Sequence, residues 1–270
     1  MKKILALALA SLMLVSFAAC SKKDETNLGN DNSEENYVSA NEMVYNNLTY
    51  GINSENGLFE ITGLVRSNTD LVDIEVPAEI EGRDVVGIAD KAFHNTGAYI
   101  KSVKLPETIT YIGDHAFYGC KYITSITLPK SVKEIGVGAF EGCSALETVA
   151  FSENVVSIGD GAFKDCVALK EISIPAKVES IGFAAFWNCD TLAEVVIPES
   201  VKSIGDAAFY DCDALAKATA SDKTTEIGQI VFNSCADGFT LTAPTDSEFA
   251  KYGVANGYNV VAPTPAAPAA

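Results

Sequence analysis

From the middle of the chain onward, apolar residues return in one fixed order. A single unit reads Leu169, Ile172, Ile174, Pro175, Val178, Ile181, Gly182, Ala185, Phe186 and Cys189, with polar or variable residues between them. Ile-Gly recurs at Ile112, Ile135, Ile158, Ile181, Ile204 and Ile227, each 23 residues after the last. A Phe follows at Phe117, Phe140, Phe163, Phe186, Phe209 and Phe232, and a Cys at Cys120, Cys143, Cys166, Cys189, Cys212 and Cys235. A period of this size is the signature of a solenoid. Ile172 and Ile174 are two apart, so they share one face of a strand. Pro106, Pro129, Pro175 and Pro198 form a column that donates no hydrogen bond, which places it where the strand ends and the chain turns. Val178 and Ile181 begin the second side of the coil. Gly182 marks a tight bend or a close backbone approach. Ala185 is small enough for a short helical or 3-10 turn to press inward, and Phe186 fills the middle.

The expected fold is therefore an α/β repeat, a solenoid of parallel strands joined by short turns and capped at both ends. Successive coils stack at about 4.8 Å, the strand spacing. Residues 45–87 read as a diverged first repeat that serves as a cap, with an insertion from Glu79 to Asp84. Residues 88–244 carry the repeats. The first of these has one extra residue and Thr96 in the Cys column, and a later one has Ala218 where others have Val or Ile. Residues 245–262 read as the C-terminal cap, with Ser247 capping a short helix, a turn at Asn256-Gly257 and a closing strand. Residues 263–270, rich in Pro and Ala, read as a disordered tail.

The repeat pattern resembles the BspA-like class of bacterial leucine-rich repeats, and Ser247–Tyr252 with Asn256-Gly257 resembles that family's C-terminal ending. The resemblance implies a curved parallel-stranded solenoid on a secreted or surface-anchored protein. It also implies protein interaction or adhesion, since some members bind matrix or plasma proteins such as fibronectin and fibrinogen.

At the other end, Lys2 and Lys3 precede an uncharged apolar run, so residues 1–19 read as a signal peptide. Phe17-Ala18-Ala19-Cys20 resembles a bacterial lipobox, which implies lipidation at Cys20. An ordinary secretory signal with an incidental Cys is the alternative. Residues 20–44 are polar and acidic and read as a disordered tether. Asp24 and Glu25 soon after the Cys resemble a surface-export signal of Gram-negative lipoproteins. The expected location is the cell envelope, on the exposed face of the outer membrane.

The net charge of −17 argues against nucleic acid and anionic membrane surfaces as partners, leaving the lipid as the expected membrane contact. Six exported Cys would ordinarily mean disulfides. Equal spacing instead puts them in one column with parallel side chains, which favours stacked core thiols over disulfides or metal. His94 and His115 lie in different columns, and no zinc spacing, phosphate loop or nucleophile elbow occurs. The expectation is a non-enzymatic protein without cofactor or metal. Asp114, Asp160 and Asp206 share one column and read as a solvated turn. The residue after each ladder Phe varies: His94, Tyr118, Glu141, Lys164, Trp187, Tyr210, Asn233. That mixture places the column in solvent. Tyr118, Trp187 and Tyr210, with Phe183 from the Asp column, are candidate protein- or glycan-binding residues, although packing over the edge of the core would use them equally well. A second candidate face is the small, flat column Lys104, Thr127, Ala150, Ser173, Val196 and Thr219. The expected function is protein interaction or adhesion. A glycan- or nutrient-binding lipoprotein and a structural envelope spacer are the alternatives.

Overall fold

The computed structural model describes residues 43–54, 57–65, 70–94 and 99–263. The signal peptide, Cys20, Thr96, nearly all of the tether and residues 264–270 lie outside the described residues.

The architecture is a parallel β-solenoid of about eight turns. Its spine is one continuous sheet containing eight parallel strands. These are β3 (Phe59–Leu64), β6 (Arg83–Ile88), β8 (Tyr111–Ile112), β10 (Glu134–Ile135), β12 (Ser157–Ile158), β13 (Ser180–Ile181), β15 (Ser203–Ile204) and β17 (Glu226–Ile227). Register is fixed by identity, because Ile88, Ile112, Ile135, Ile158, Ile181, Ile204 and Ile227 pair in line. The Ile side chains point inward. A slip by one residue would turn that whole column into solvent.

The opposite face is the pairing of the other strand of each coil, and it is interrupted. β4 (Val72–Glu75) pairs with β7 (Ile100–Lys104), and β9 (Ser125–Thr127) with β11 (Thr148–Ala150). Further on, β14 (Glu194–Val196), β16 (Lys217–Thr219), β18 (Thr240–Thr242) and β19 (Asn259–Val261) form a four-stranded sheet. Each strand here ends before the Pro column. The Pro carbonyl then closes a turn by accepting the N–H three residues on, as in Val178 to Pro175 at 3.0 Å and Val201 to Pro198 at 3.1 Å.

The arm carrying Ala-Phe-x-x-Cys is where the expected helical or 3-10 turn takes another form. Within one coil, Ala139, Glu141 and Cys143 donate to Gly136, Gly138 and Phe140, closing successive turns. The alternate N–H groups of Gly138, Phe140 and Gly142 donate instead to Asp160, Ala162 and Lys164 of the next coil, each at 2.8 Å. The alternation requires a left-handed residue at two points per coil. Gly138 and Gly142 supply it with φ of 58° and 72°, and Ala184 and Asn188 occupy the same columns at 52° and 58°. A true helical turn would aim every N–H inside its own coil, leaving the neighbouring coil without donors. The arm thus forms a third inter-coil ladder.

Inside these walls the seven Phe residues from Phe93 to Phe232 are at most 1% exposed. From Phe117 to Phe232 their centroids are 5.1–5.5 Å apart and the rings within 11° of parallel. Each burial contributes about 1.5–3 kcal/mol, and each ring pair about 0.5–1.5 kcal/mol more. All six cysteines of the column are free thiols. Cys143, Cys166 and Cys212 each donate to the carbonyl of the Phe one coil back at 3.2 Å, to Phe117, Phe140 and Phe186. Burial pushes the Cys166 and Cys189 thiols well above their ordinary value and Cys235 up to about 12.

Both ends are closed by departures from the repeat. At the start, β1 (Met43–Tyr45) and β2 (Leu48–Ile52) lie antiparallel ahead of β3. Met43 and Val44, expected in the tether, instead begin β1, where they pair with Tyr50 and Thr49. The Glu79–Asp84 insertion is a hairpin between β5 (Glu79–Ile80) and β6, turning at Glu81-Gly82 with φ of 52° and 74°. At the far end α1 (Glu248–Ala255) begins at Ser247, whose hydroxyl accepts the Ala250 N–H. Its Phe249 packs against Phe232, and Phe239 stacks on the same ring at 5.1 Å, so the last coil is covered.

Candidate binding groove

The continuous sheet bears a shallow groove of about 730 Å³ across β12, β13, β15 and β17. Three columns build it. Ser157, Ser180 and Ser203 form one bank, continued by Glu226. Gly159, Gly182, Gly205 and Gly228 form the floor. Asp160, Phe183 and Asp206 form the other bank, with Val137 at its end.

The floor is glycine because nothing larger fits between coils. A Cβ on Gly182 would sit 2.5 Å from the backbone nitrogen of Asp160 and 2.7 Å from the carbonyl carbon of Gly159. The same is true at Gly205 and Gly228, where backbone atoms lie within 2.6 Å. The coils therefore approach backbone to backbone, leaving a trough between the two banks.

The Asp bank is more organised than a solvated turn. Asp90, Asp114, Asp160 and Asp206 each accept, through Oδ1, the N–H of the equivalent residue one coil on. The acceptor distances are 2.8 Å from Asp114, 2.8 Å from Val137, 2.7 Å from Phe183 and 2.7 Å from Gln229. One carboxylate oxygen of each is used in this way, and all four residues are exposed. Where Val137 and Phe183 replace Asp, the next coil receives no such bond. Among the described residues no acceptor reaches the N–H of Asp160 or Asp206. Phe183 itself is 52% exposed, between two carboxylates one coil away on either side.

Of the four candidate aromatics, the structure brings only Phe183 into this groove. Tyr118, Trp187 and Tyr210 are half-buried on the arm, in a column that pairs with itself from coil to coil. His94 stacks on Tyr118 at 4.6 Å, Glu141 accepts from Lys164 at 2.7 Å, Trp187 leans on Tyr210 at 4.8 Å, and Asn233 accepts from the Tyr258 hydroxyl at 2.8 Å. The variable column expected in solvent is thus partly covered, because each member lies against a partner one coil away. Glu141 in turn raises the Lys164 pKa through their hydrogen bond. The alternative flat face keeps Lys104, Thr127, Ala150, Ser173 and Val196 exposed, but pairing breaks beside Ser173, so it offers no continuous platform.

The serine bank has no counterpart among the residues expected to bind, and the Asp column, expected as a solvated turn, lines the groove instead. The signal was present in the sequence as Ser157, Ser180 and Ser203 at intervals of 23, one residue before each Ile. Among the described residues no group of three or more His, Cys, Asp and Glu is placed to hold a metal ion, and no helix is long and apolar enough to cross a membrane.

Comparison with known proteins agrees with this architecture. A leucine-rich repeat protein from Bacteroides ovatus superposes with a TM-score of 0.56 at 22% identity, covering 82% of this chain and 67% of that one. A leucine-rich repeat protein from Treponema pallidum gives 0.49 at 25% identity, covering 82% of this chain and 98% of that one. A leucine-rich cell surface protein from Faecalibacterium prausnitzii gives 0.40 at 20%, covering 85% and 96%. A search of the curated proteins returns no match. Six copies of the BspA type leucine rich repeat region match residues 86–191 and 156–253, more than half of the sequence and nearly all of the stacked coils, and the chain therefore belongs to that family.

Proposed function

We propose that this chain is a non-enzymatic protein-interaction module displayed at the bacterial cell surface, and that the groove on its continuous sheet is the binding face. The observation that carries this reading is Phe183, 52% exposed between two carboxylates on a floor that no side chain can fill. Leaving a large ring in water is unfavourable, and aromatic residues in such positions anchor partner proteins. The coils supply rigid support, since Gly182, Gly205 and Gly228 on the floor donate to the carbonyls of Ile158, Ile181 and Ile204 one coil back. The reading extends to lipid attachment at Cys20 and to adhesion, with an extracellular protein such as fibronectin or fibrinogen as partner. Those extensions rest on the signal-like N-terminus and on the family.

A glycan site built from stacked aromatics has less support here. Among the described residues no ring stacks on Phe183, and Trp187 and Tyr210 meet at 53° rather than in parallel. The test is surface plasmon resonance of residues 21–270 against fibronectin and fibrinogen, with a glycan array alongside. Binding to protein that Phe183→Ala weakens at least about tenfold supports the groove. Binding that survives Phe183→Ala but falls with Trp187→Ala moves the site to the arm. Binding to glycans alone removes the protein-interaction reading.

A further inference from the structure

The charge around Phe183 specifies the occupant further than its shape does. Three carboxylates line the groove, Asp160, Asp206 and Glu226, and no Lys, Arg or His lines it. Lys202, on the neighbouring strand position, is tied to Glu179 at 2.6 Å. The chain as a whole carries −17. Asp160 and Asp206 are held in place by the N–H groups of Phe183 and Gln229, so their Oδ2 atoms are set before any ligand arrives. They lie one coil to either side of the ring, about 5 Å each way by strand spacing.

We infer that the groove takes an arginine side chain of the partner protein, its guanidinium laid on the Phe183 ring between the carboxylates of Asp160 and Asp206. This rests on the groove being the binding face. A planar guanidinium stacks on an aromatic face and presents N–H donors at both edges, whereas an ammonium is a compact point charge. Charge-assisted hydrogen bonds to the two free carboxylate oxygens complete the clamp. The unpaired N–H groups of Asp160 and Asp206 supply donors for the carbonyls of the same segment, spaced two coils apart. An acidic segment is repelled. A neutral sugar would leave both carboxylates without a counter-charge.

The experiment uses the chain from residue 21 and a fluorescein-labelled penta-arginine peptide, followed by anisotropy, with penta-glutamate as the contrast. Asp160→Asn and Asp206→Asn are combined. Asn retains an Oδ1 acceptor for the inter-coil N–H, so the coil geometry is kept while the charge goes. Glu153→Gln with Glu199→Gln removes the same charge from exposed positions outside the groove. The expected result is a loss of about tenfold or more in the groove pair and no more than about twofold in the control pair. Equal losses in both pairs, or no binding of penta-arginine to the unaltered chain, overturn the arginine clamp. With a partner protein in hand, loss on Phe183→Ala but none on Asp160→Asn with Asp206→Asn keeps the groove and removes the cation. No loss on Phe183→Ala removes the groove itself.

Discussion

Truncating Phe163 to Ala tests the internal column at its centre. The ring is fully buried, with Phe140 and Phe186 stacked on its two faces at 5.3 Å each and Phe151 edge-on at 5.5 Å. A buried Phe→Ala change costs about 3–5 kcal/mol, more where the surroundings cannot collapse. Here they cannot. The neighbouring rings are anchored by coils whose separation is set by backbone ladders, so the gap stays open and the cost belongs at the upper end. Against a domain stability of about 5–15 kcal/mol this is a third or more of the total. A repeat stack adds a second consequence, because its cooperativity is carried from coil to coil. A cavity in the middle layer weakens the coupling between the two halves. Urea unfolding should be followed by far-ultraviolet circular dichroism and by the fluorescence of Trp187, the single tryptophan. The expected result is a lower midpoint and a separation of the two curves. A loss below about 1 kcal/mol with coincident curves would refute the reasoning, since the ring column could not then be what joins the coils.

Three further predictions follow from the inter-coil contacts. Gly182→Ala places a Cβ 2.5 Å from backbone, and overpacking of this kind should cost about 1–3 kcal/mol in a denaturant titration, where an exposed strand Gly→Ala would be neutral or stabilising. Asp160→Ala should cost about 0.5–1.5 kcal/mol for the bond to the Phe183 N–H, while Asp160→Asn should cost less because the acceptor remains; equal losses would show that charge rather than the hydrogen bond matters. The thiols of Cys120, Cys166, Cys189 and Cys235 have pKa values raised in the folded state, so their contribution is complete below the ordinary thiol pKa of about 8.5. Above it the unfolded chain ionises first, so stability should fall as pH rises, through pH 12 for Cys235; melting temperatures from pH 8 to 11 check the direction, and a flat profile contradicts it.

The fold was legible because its determinants are columns. Ile, Gly, Phe and Cys each recur at an interval of 23, and an interval is visible without coordinates. The Pro column located the strand ends for the same reason. What stayed hidden were relations between neighbouring coils. The arm reads as Ala-Phe-x-x-Cys whether its N–H groups turn back or reach outward, and only the left-handed φ at Ala184 and Asn188 decides. The column of Tyr118, Trp187 and Tyr210 reads as free because its members differ. They differ in complementary pairs, and Glu141 with Lys164, opposite charges one period apart, was the visible trace of that pairing. The insertion at Glu79–Asp84 was visible as extra length but not as a hairpin.

The groove is a different case, because its meaning lies in exceptions. In a stack, a residue that matches its column serves the coil above or below it, as Asp160 does for Phe183. A residue that breaks its column gives up that bond, and the loss has to be offset elsewhere or tolerated for another end. Val137 and Phe183 both break the Asp column, and each leaves an N–H of the next coil without its carboxylate. Both residues are also exposed, at 42% and 52%, so neither regains the lost bond through burial. Structure alone favours Asp at Phe183. A ring there is costly to the stack and useful only to something that covers it. Phe183→Asn therefore separates the two demands: its Oδ1 should restore the missing bond to the Asp206 N–H and raise the midpoint of urea unfolding without adding charge to the groove, while weakening partner binding at least about tenfold. Unchanged binding in that variant would mean the exposed ring serves no partner.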